Sequence, residues 1–253
     1  MNSATSPCSL AGLIPDEPRW IDLRGLLLTE RCDVWAEANP EHGFVARSWD
    51  YPFASLFGNP RAELVIEATA AGLAAFDHLA QRSEWQLLAA PQNRSLVRTA
   101  LPGWRRTGIV LHRPARDPER PVVDPTAEIR LLPGGLGEAG LTLEHVPEKS
   151  RQELELEWVS SRPIAVAIVD GRAVTFCYAA FTTERLWDVS IETLEPFRRR
   201  GLGAACFLAL ASQMAESGKT PAWGAMVDNP ASLGLAAKLG FVFDSALDGW
   251  SEA

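Results

Sequence analysis

The stretch Glu195-Pro196-Phe197-Arg198-Arg199-Arg200-Gly201-Leu202-Gly203-Ala204-Ala205 is where the reading of this chain starts. Upstream, Leu186 to Thr193 alternates like a strand. Downstream, an Ala- and Leu-rich run to about Ser217 has helical spacing. A strand that enters a helix through a glycine-bearing turn exposes the unpaired N–H groups of the first helical turn and the positive end of its dipole. Together these suit a pyrophosphate. Glycines at 201 and 203 let backbone approach phosphate oxygens with no Cβ in the way. Arg198, Arg199 and Arg200 add local positive charge to a chain of formal net charge −8. A basic turn before a helix also reads as a solvated surface, so this stretch does not decide alone.

Outward from the turn, Ile164–Val169 and Arg172–Phe181 flank Asp170-Gly171, a dipeptide suited to two-residue hairpin turns because both positions tolerate positive φ. Glu128–Leu132 reads as a strand and Glu148–Ser160 as a Glu-rich helix. Past the turn come a strand over Pro221–Val227, a helix over Pro230–Leu239 and a last strand from Phe241. In that short helix Asn229 supplies an N-cap, Pro230 the first helical position and Gly240 the stop.

The seam Arg113–Thr126 carries four prolines and six charges, which exclude a helix interior. It reads as an interdomain linker over 114–126 or as a tight connection inside one domain. Before it, over 1–113, helical spacing at Ala68–Gln81 and Arg94–Leu101 alternates with strand-like Trp85–Ala90 and Thr107–His112, a small α/β domain. The aromatic piece Ser48–Phe53 reads as core packing. No internal repeat is visible.

The arginine-glycine turn and the Asn-initiated helix ending Lys238-Leu239-Gly240-Phe241, taken together, resemble the GNAT superfamily of N-acetyltransferases over about residues 126 to 253. The family's fingerprint, Arg/Gln-x-x-Gly-x-Gly/Ala, is met by Arg198, Gly201 and Gly203. Within the superfamily the chain is similar to bacterial members that share Glu-Thr before the turn and Ala-Ser in the short helix, some linked with antibiotic resistance. The resemblance implies an α/β (α+β) fold: a mixed, largely antiparallel sheet flanked by helices over 127–253, preceded by the smaller α/β domain. It implies acetyl-CoA as co-substrate and acetyl transfer to a primary amine of a metabolite or antibiotic. A protein amine as acceptor, or an acyl-CoA-binding module without catalysis, stays open. Carried over by position, the cofactor contacts fall on Ile191, Glu192, Thr193, Arg198, Arg199, Arg200, Gly201, Leu202, Gly203, Ala204, Asn229 and Ser232.

An alkylamine is mostly protonated at neutral pH, so direct transfer needs a proton acceptor. Glu184, Asp188 and Glu192 are the acidic residues along the third strand. Asp188 and Glu192 share a face by parity, and Glu192 stands nearest the expected thioester. A surface carboxylate reads the same way. Many family members place a tyrosine acid seven residues after the Asn; here Ala236 stands there. Tyr178 is the substitute candidate, with an ordinary strand aromatic as the alternative. The tail from Phe241 is short for two closing strands, so a partner chain in a homodimer, or the first domain, completes the sheet.

Other chemistries find less support. The acidic balance argues against nucleic acid. No run suits a membrane span and no basic, apolar leader opens the chain, which points to the cytoplasm. Cys8, Cys32, Cys177 and Cys206 are scattered, as are His42, His78, His112 and His145, so no metal site is expected. Gly135–Gly140 matches G-x-G-x-x-G but leads into strand-like sequence and Pro147, not the helix a dinucleotide loop requires.

Overall fold

The computed structural model describes residues 6–78, 84–136, 141–156 and 162–253. The chain forms two compact units. The first is 1–112 with 224–230 and 243–253, and the second is 113–223 with 231–242. Strands β10 (Thr220–Met226) and β11 (Phe241–Ser251) contribute residues to both.

The first unit opens with helices α1 (Pro7–Ala11) and α2 (Ile21–Thr29). Strands β1 (Cys32–Ala36), β2 (Gly43–Ser48) and β3 (Phe53–Gly58) then form an antiparallel meander. Helix α3 (Ala62–Ala75) follows, and β4 (Gln86–Ala89) returns parallel to β3. Helix α4 (Arg94–Ala100) and β5 (Arg105–Pro114) complete the unit. Residues 248–250 of β11 pair antiparallel with β4, so the last strand finds its partner in sequence that precedes the seam. The core is built on Trp85, Trp250, Leu56, Leu87 and Val65, all almost wholly buried. Trp85 packs tightly against Gly72 of α3, where a Cβ would stand 2.2 Å from its Cζ2.

The second unit contains β6 (Glu128–Leu132), α5 (Glu148–Glu155), β7 (Ile164–Val169), β8 (Arg172–Thr182) and β9 (Leu186–Thr193). It continues with α6 (Leu202–Glu216) and α7 (Pro230–Lys238). The β7–β8 turn is the expected one: Asp170 and Gly171 take φ of 50° and 75°. Strands β6 to β9 are antiparallel neighbours and β10 joins β9 in parallel, giving a mixed, largely antiparallel sheet. Leu202, Cys206, Leu210 and Met214 recur at steps of four and bury one face of α6. Phe207 stacks on Trp187 at 6.0 Å and meets Trp223 and Phe241, which anchors the helix to the strands.

Several sequence expectations need adjustment. The helix expected over Ala68–Gln81 spans Ala62–Ala75, its apolar face beginning earlier at Leu64 and Val65; 79–81 lie outside the described residues. The helix expected to reach Ser160 ends at Glu155, its last positions again outside them. So does most of the Gly135–Gly140 run. The stretch 114–126 is held to the second unit by backbone bonds from Ala115 to Gly240, Glu119 to Lys238 and Asp124 to Arg200. Although no repeat shows in sequence, the structure contains one in outline: an antiparallel strand triplet, helix, parallel strand, helix and strand run from β1 to β5 and again from β7 to β11. Element order carries this repeat, not residue identity, so letter-by-letter comparison misses it.

Candidate functional site

Strand β9 ends at the site, and its hydrogen-bond parity decides what it offers. The Leu194 N–H donates to the Val174 carbonyl at 2.9 Å. Stepping back by two, Glu192 and Ser190 form the hydrogen-bonded pairs with Phe176 and Tyr178. The N–H and C=O groups of Val189, Ile191 and Thr193 therefore point to the opposite edge. There the register with β10 runs only from Leu186 to Asp188. Beyond Asp188 no strand among the described residues covers this edge. An extended ligand with its own amides can pair with it as an added strand would.

The chain then turns through Glu195–Phe197, a single 3-10 turn. The Arg198 Nε donates to the Thr193 carbonyl at 3.0 Å, tying the turn to the strand end. Arg199 and Gly201 adopt positive φ, 62° and 76°. Gly201 is the N-cap of α6, and with no side chain it makes no capping hydrogen bond. No acid sits in the first helical turn, and the first intrahelical bond runs from the Ala205 N–H to the Gly201 carbonyl. The amides of Leu202, Gly203 and Ala204 thus have no intrahelical acceptor, as at any helix start, and no carboxylate among the described residues caps them. Such amides are suited to donate to an anion.

The equivalent strand-to-helix turn of the first unit is built the other way. There Glu37 Oε1 accepts the Arg61 N–H at 2.7 Å and Oε2 pairs with its Nε at 3.1 Å. Those bonds, the backbone one foremost, hold the Glu37 carboxyl below its ordinary value. An internal carboxylate thus already stands at the start of α3.

The other candidates fall in different places. Arg198 and Arg199 are exposed, whereas Arg200 is turned onto Asp124 and over the Phe197 ring, 5.3 Å from its centroid. Gly203 lies in the helix, where a Cβ would meet Ile191, Thr193 and Leu235 at ordinary contact distance. Ser232 Oγ accepts the Trp223 indole N–H at 2.9 Å, a structural role absent from the sequence reading. Asn229 belongs to the first unit, its N–H bonded to the Met226 carbonyl. Ala236 is fully buried, so the position where many family members carry tyrosine is a core position here.

Registry places the acid–base candidates together on one face of β8 and β9. Phe176 pairs with Glu192, and Tyr178 with Ser190. The irregularity near Asp188 lies on β8, which takes three steps from Ala179 to Thr182 against two on β9. The parity of Asp188 with Glu192 survives. Tyr178, 4% exposed, also packs in the apolar cluster with Ile164 and Val166, as an ordinary strand aromatic does. His145, which its sequence spacing does not mark, bonds through Nε2 to the Ala173 carbonyl at 2.7 Å. Cys177 and Cys206 are buried, with burial pushing both thiols up, Cys206 to about 12, so neither supplies a thiolate. Among the described residues no group of three or more metal-ligating side chains forms, and no helix is long and apolar enough to cross a membrane.

Residues 165–249 match the model of a family described as GNAT acetyltransferase. No curated protein matches the sequence. A GCN5-related N-acetyltransferase-like protein from Streptococcus suis superposes with a TM-score of 0.64 at 20% identity, over 96% of this chain and 95% of its own. A tandem GNAT protein from the clavulanic acid biosynthesis pathway gives 0.61 at 16% identity, over 98% and 95%. A GCN5-related N-acetyltransferase from Kribbella flavida gives 0.59 at 14%, over 93% and 94%. At these identities the likeness is one of fold, and it runs the length of the chain.

Proposed function

We propose that this chain, whose residues 165–249 match the GNAT acetyltransferase model, moves an acetyl group from acetyl-CoA to a primary amine of a small molecule. The observation that carries this reading is the pairing of an open β9 edge with an uncapped, glycine-started helix one turn away. Ile191 and Thr193 offer backbone N–H groups to an extended, amide-bearing arm. The amides of Leu202, Gly203 and Ala204 offer hydrogen bonds to a diphosphate, with Arg198 and Arg199 adding charge. Acetyl-CoA contains both pieces in one molecule, and its thioester supplies the acyl group.

Glu192, on the face of β9 opposite α6, accepts the amine proton directly or through water, with Asp188 four residues nearer the start of the strand on the same face. Val189 and Ile191 N–H groups orient the acyl end and can stabilise negative charge there. No tyrosine is needed at 236: a thiol of ordinary pKa near 8.5 leaves tolerably as thiolate. Tyr178 stays the candidate acid on that face. The turn before α3, where Glu37 already holds the Arg61 N–H and guanidinium, supports one cofactor per chain.

The test is calorimetric melting with saturating acetyl-CoA, CoA and NAD. Ligand at one hundred times its dissociation constant adds about 2.7 kcal/mol, a rise of roughly 5–10 °C for a chain of this size. A rise with both CoA species and none with NAD is expected; no shift with either CoA species overturns the reading. Thiol release over a panel of amines and peptides then separates a metabolite acceptor from a protein one and from a silent binding module. Glu192→Gln should lower turnover and steepen its pH dependence, and unchanged kinetics would remove Glu192 from the mechanism.

A further inference from the structure

We propose that Asp124 is a positioning residue for the cofactor turn, and that Arg200 serves Asp124 instead of the cofactor. The inference rests on the acyl-CoA reading above.

Asp124 and Arg200 are 76 residues apart in sequence and hold each other twice. The Arg200 Nε donates to Asp124 Oδ2 at 2.5 Å, and the Asp124 N–H donates to the Arg200 carbonyl at 3.1 Å. The remaining carboxylate oxygen, Oδ1, accepts the Thr126 N–H at 2.8 Å and the Thr126 hydroxyl at 2.6 Å. With both oxygens engaged, the carboxylate is fixed in place. The guanidinium is committed as well, lying over Phe197 on its other side. A cation so engaged has little left for a phosphate, unlike the exposed Arg198 and Arg199.

What Asp124 fixes is the backbone of the turn. Arg200 sits between two residues of positive φ, Arg199 and Gly201. Arg199 carries a Cβ in that conformation, which an L-residue holds only when its surroundings impose it. The clamp on the Arg200 carbonyl and side chain, one residue on, imposes it. On the following residue, the Val122 carbonyl presses against Gly201 so closely that a Cβ would stand 2.2 Å from its oxygen. Segment 122–126 therefore braces the turn from outside the site, and the amides of Leu202 to Ala204 inherit their direction from it. Three side-by-side arginines divide into two for charge and one for geometry.

A double-mutant cycle on CoA affinity, measured by titration calorimetry at a temperature where each variant is folded, tests this. Asp124→Ala and Arg200→Ala should each raise the CoA dissociation constant on the order of tenfold, and the double variant no more than either. Arg199→Ala combined with Asp124→Ala should multiply. Asp124→Asn, which keeps the acceptor for Thr126 and loses the ionic bond, should fall between wild type and Asp124→Ala. Pantetheine, lacking the diphosphate, should bind every variant as it binds wild type, whereas a general loosening of the fold weakens both ligands together. Equal CoA affinity in Asp124→Ala and wild type overturns the positioning role and leaves the acyl-CoA reading intact. Additive Asp124 and Arg200 effects, or a parallel loss for pantetheine, also overturn it. A wild-type protein that binds no CoA overturns both.

Discussion

Gly201→Ala is the substitution whose cost the structure specifies most fully. Gly201 sits at φ 76°, and an alanine there meets the Val122 carbonyl oxygen at 2.2 Å, its carbon at 3.0 Å and the Val123 Cα at 3.2 Å. These are backbone atoms, so no side-chain rotation relieves the clash. Left-handed backbone costs an L-residue about 1–2 kcal/mol. Displacing a packed neighbour costs about 1–3 kcal/mol more. The sum, about 2–5 kcal/mol, lowers the melting temperature by roughly 5–15 °C in a chain this long. The matched control is Gly203→Ala, two residues on. Its Cβ meets Ile191 Cγ2 at 3.4 Å and Leu235 Cδ2 at 3.5 Å, ordinary contacts. Replacing a helical glycine there gains up to about 1 kcal/mol. Differential scanning calorimetry should show Gly201→Ala well below wild type and Gly203→Ala at or slightly above it. The acetyl-CoA-induced rise should shrink in the former, because the amides it re-aims are the proposed diphosphate ligands. Equal losses in the two variants, or a Gly201→Ala protein melting with wild type, would refute the account of the turn.

Asp248 is 1% exposed and paired with Arg94 and Arg106; Asp248→Asn should cost about 2 kcal/mol, the arginines being half-exposed and partly rehydrated. Burial alone would raise the Asp248 carboxyl, but hydrogen bonds from the two arginines outweigh it and hold it below its ordinary value. A depressed folded-state pKa gives stability present above the unfolded value and lost as pH falls through the folded one. Asp124, held down to about 2 first by Thr126 and then by Arg200, adds in the same direction. Melting temperature against pH should therefore fall below about pH 4, and less steeply in Asp248→Asn. Ala236→Tyr should destabilise by about 3 kcal/mol, since the site is fully buried, and turnover should not rise; a folded, faster variant would show that room for an acid exists there. A thiol titration should find one fast-reacting cysteine in the native protein, Cys8, and all four in denaturant, because Cys32, Cys177 and Cys206 are buried. Two fast thiols in the native state would contradict the burial of one of those three.

Local chemistry made much of the second unit readable in sequence. Asp170-Gly171 tolerates two positive φ values in succession, so the hairpin and its flanking strands follow from a dipeptide and alternation. Gly201 and the run behind it mark a helix start, because glycine both permits the left-handed turn and leaves the amides uncapped. Asn229, Pro230 and Gly240 bound α7 for equally local reasons. What alternation and caps do not encode is who sits beside whom at long range. Strands β1 to β3 are short, and their polar positions, such as Asp33 and Arg47, meet across the sheet, so their apolar pattern alone is weak. The pairing of β11 with β4 joins residues more than 150 apart with no signature in either. The spacing Arg198-Arg199-Arg200 reads as three equivalent cations; only the fold turns one of them onto Asp124 and leaves two exposed. A sequence of this kind determines where the turn is and what its backbone can do. The tertiary structure decides which side chains are spent holding it, because that depends on neighbours the chain brings in from far away.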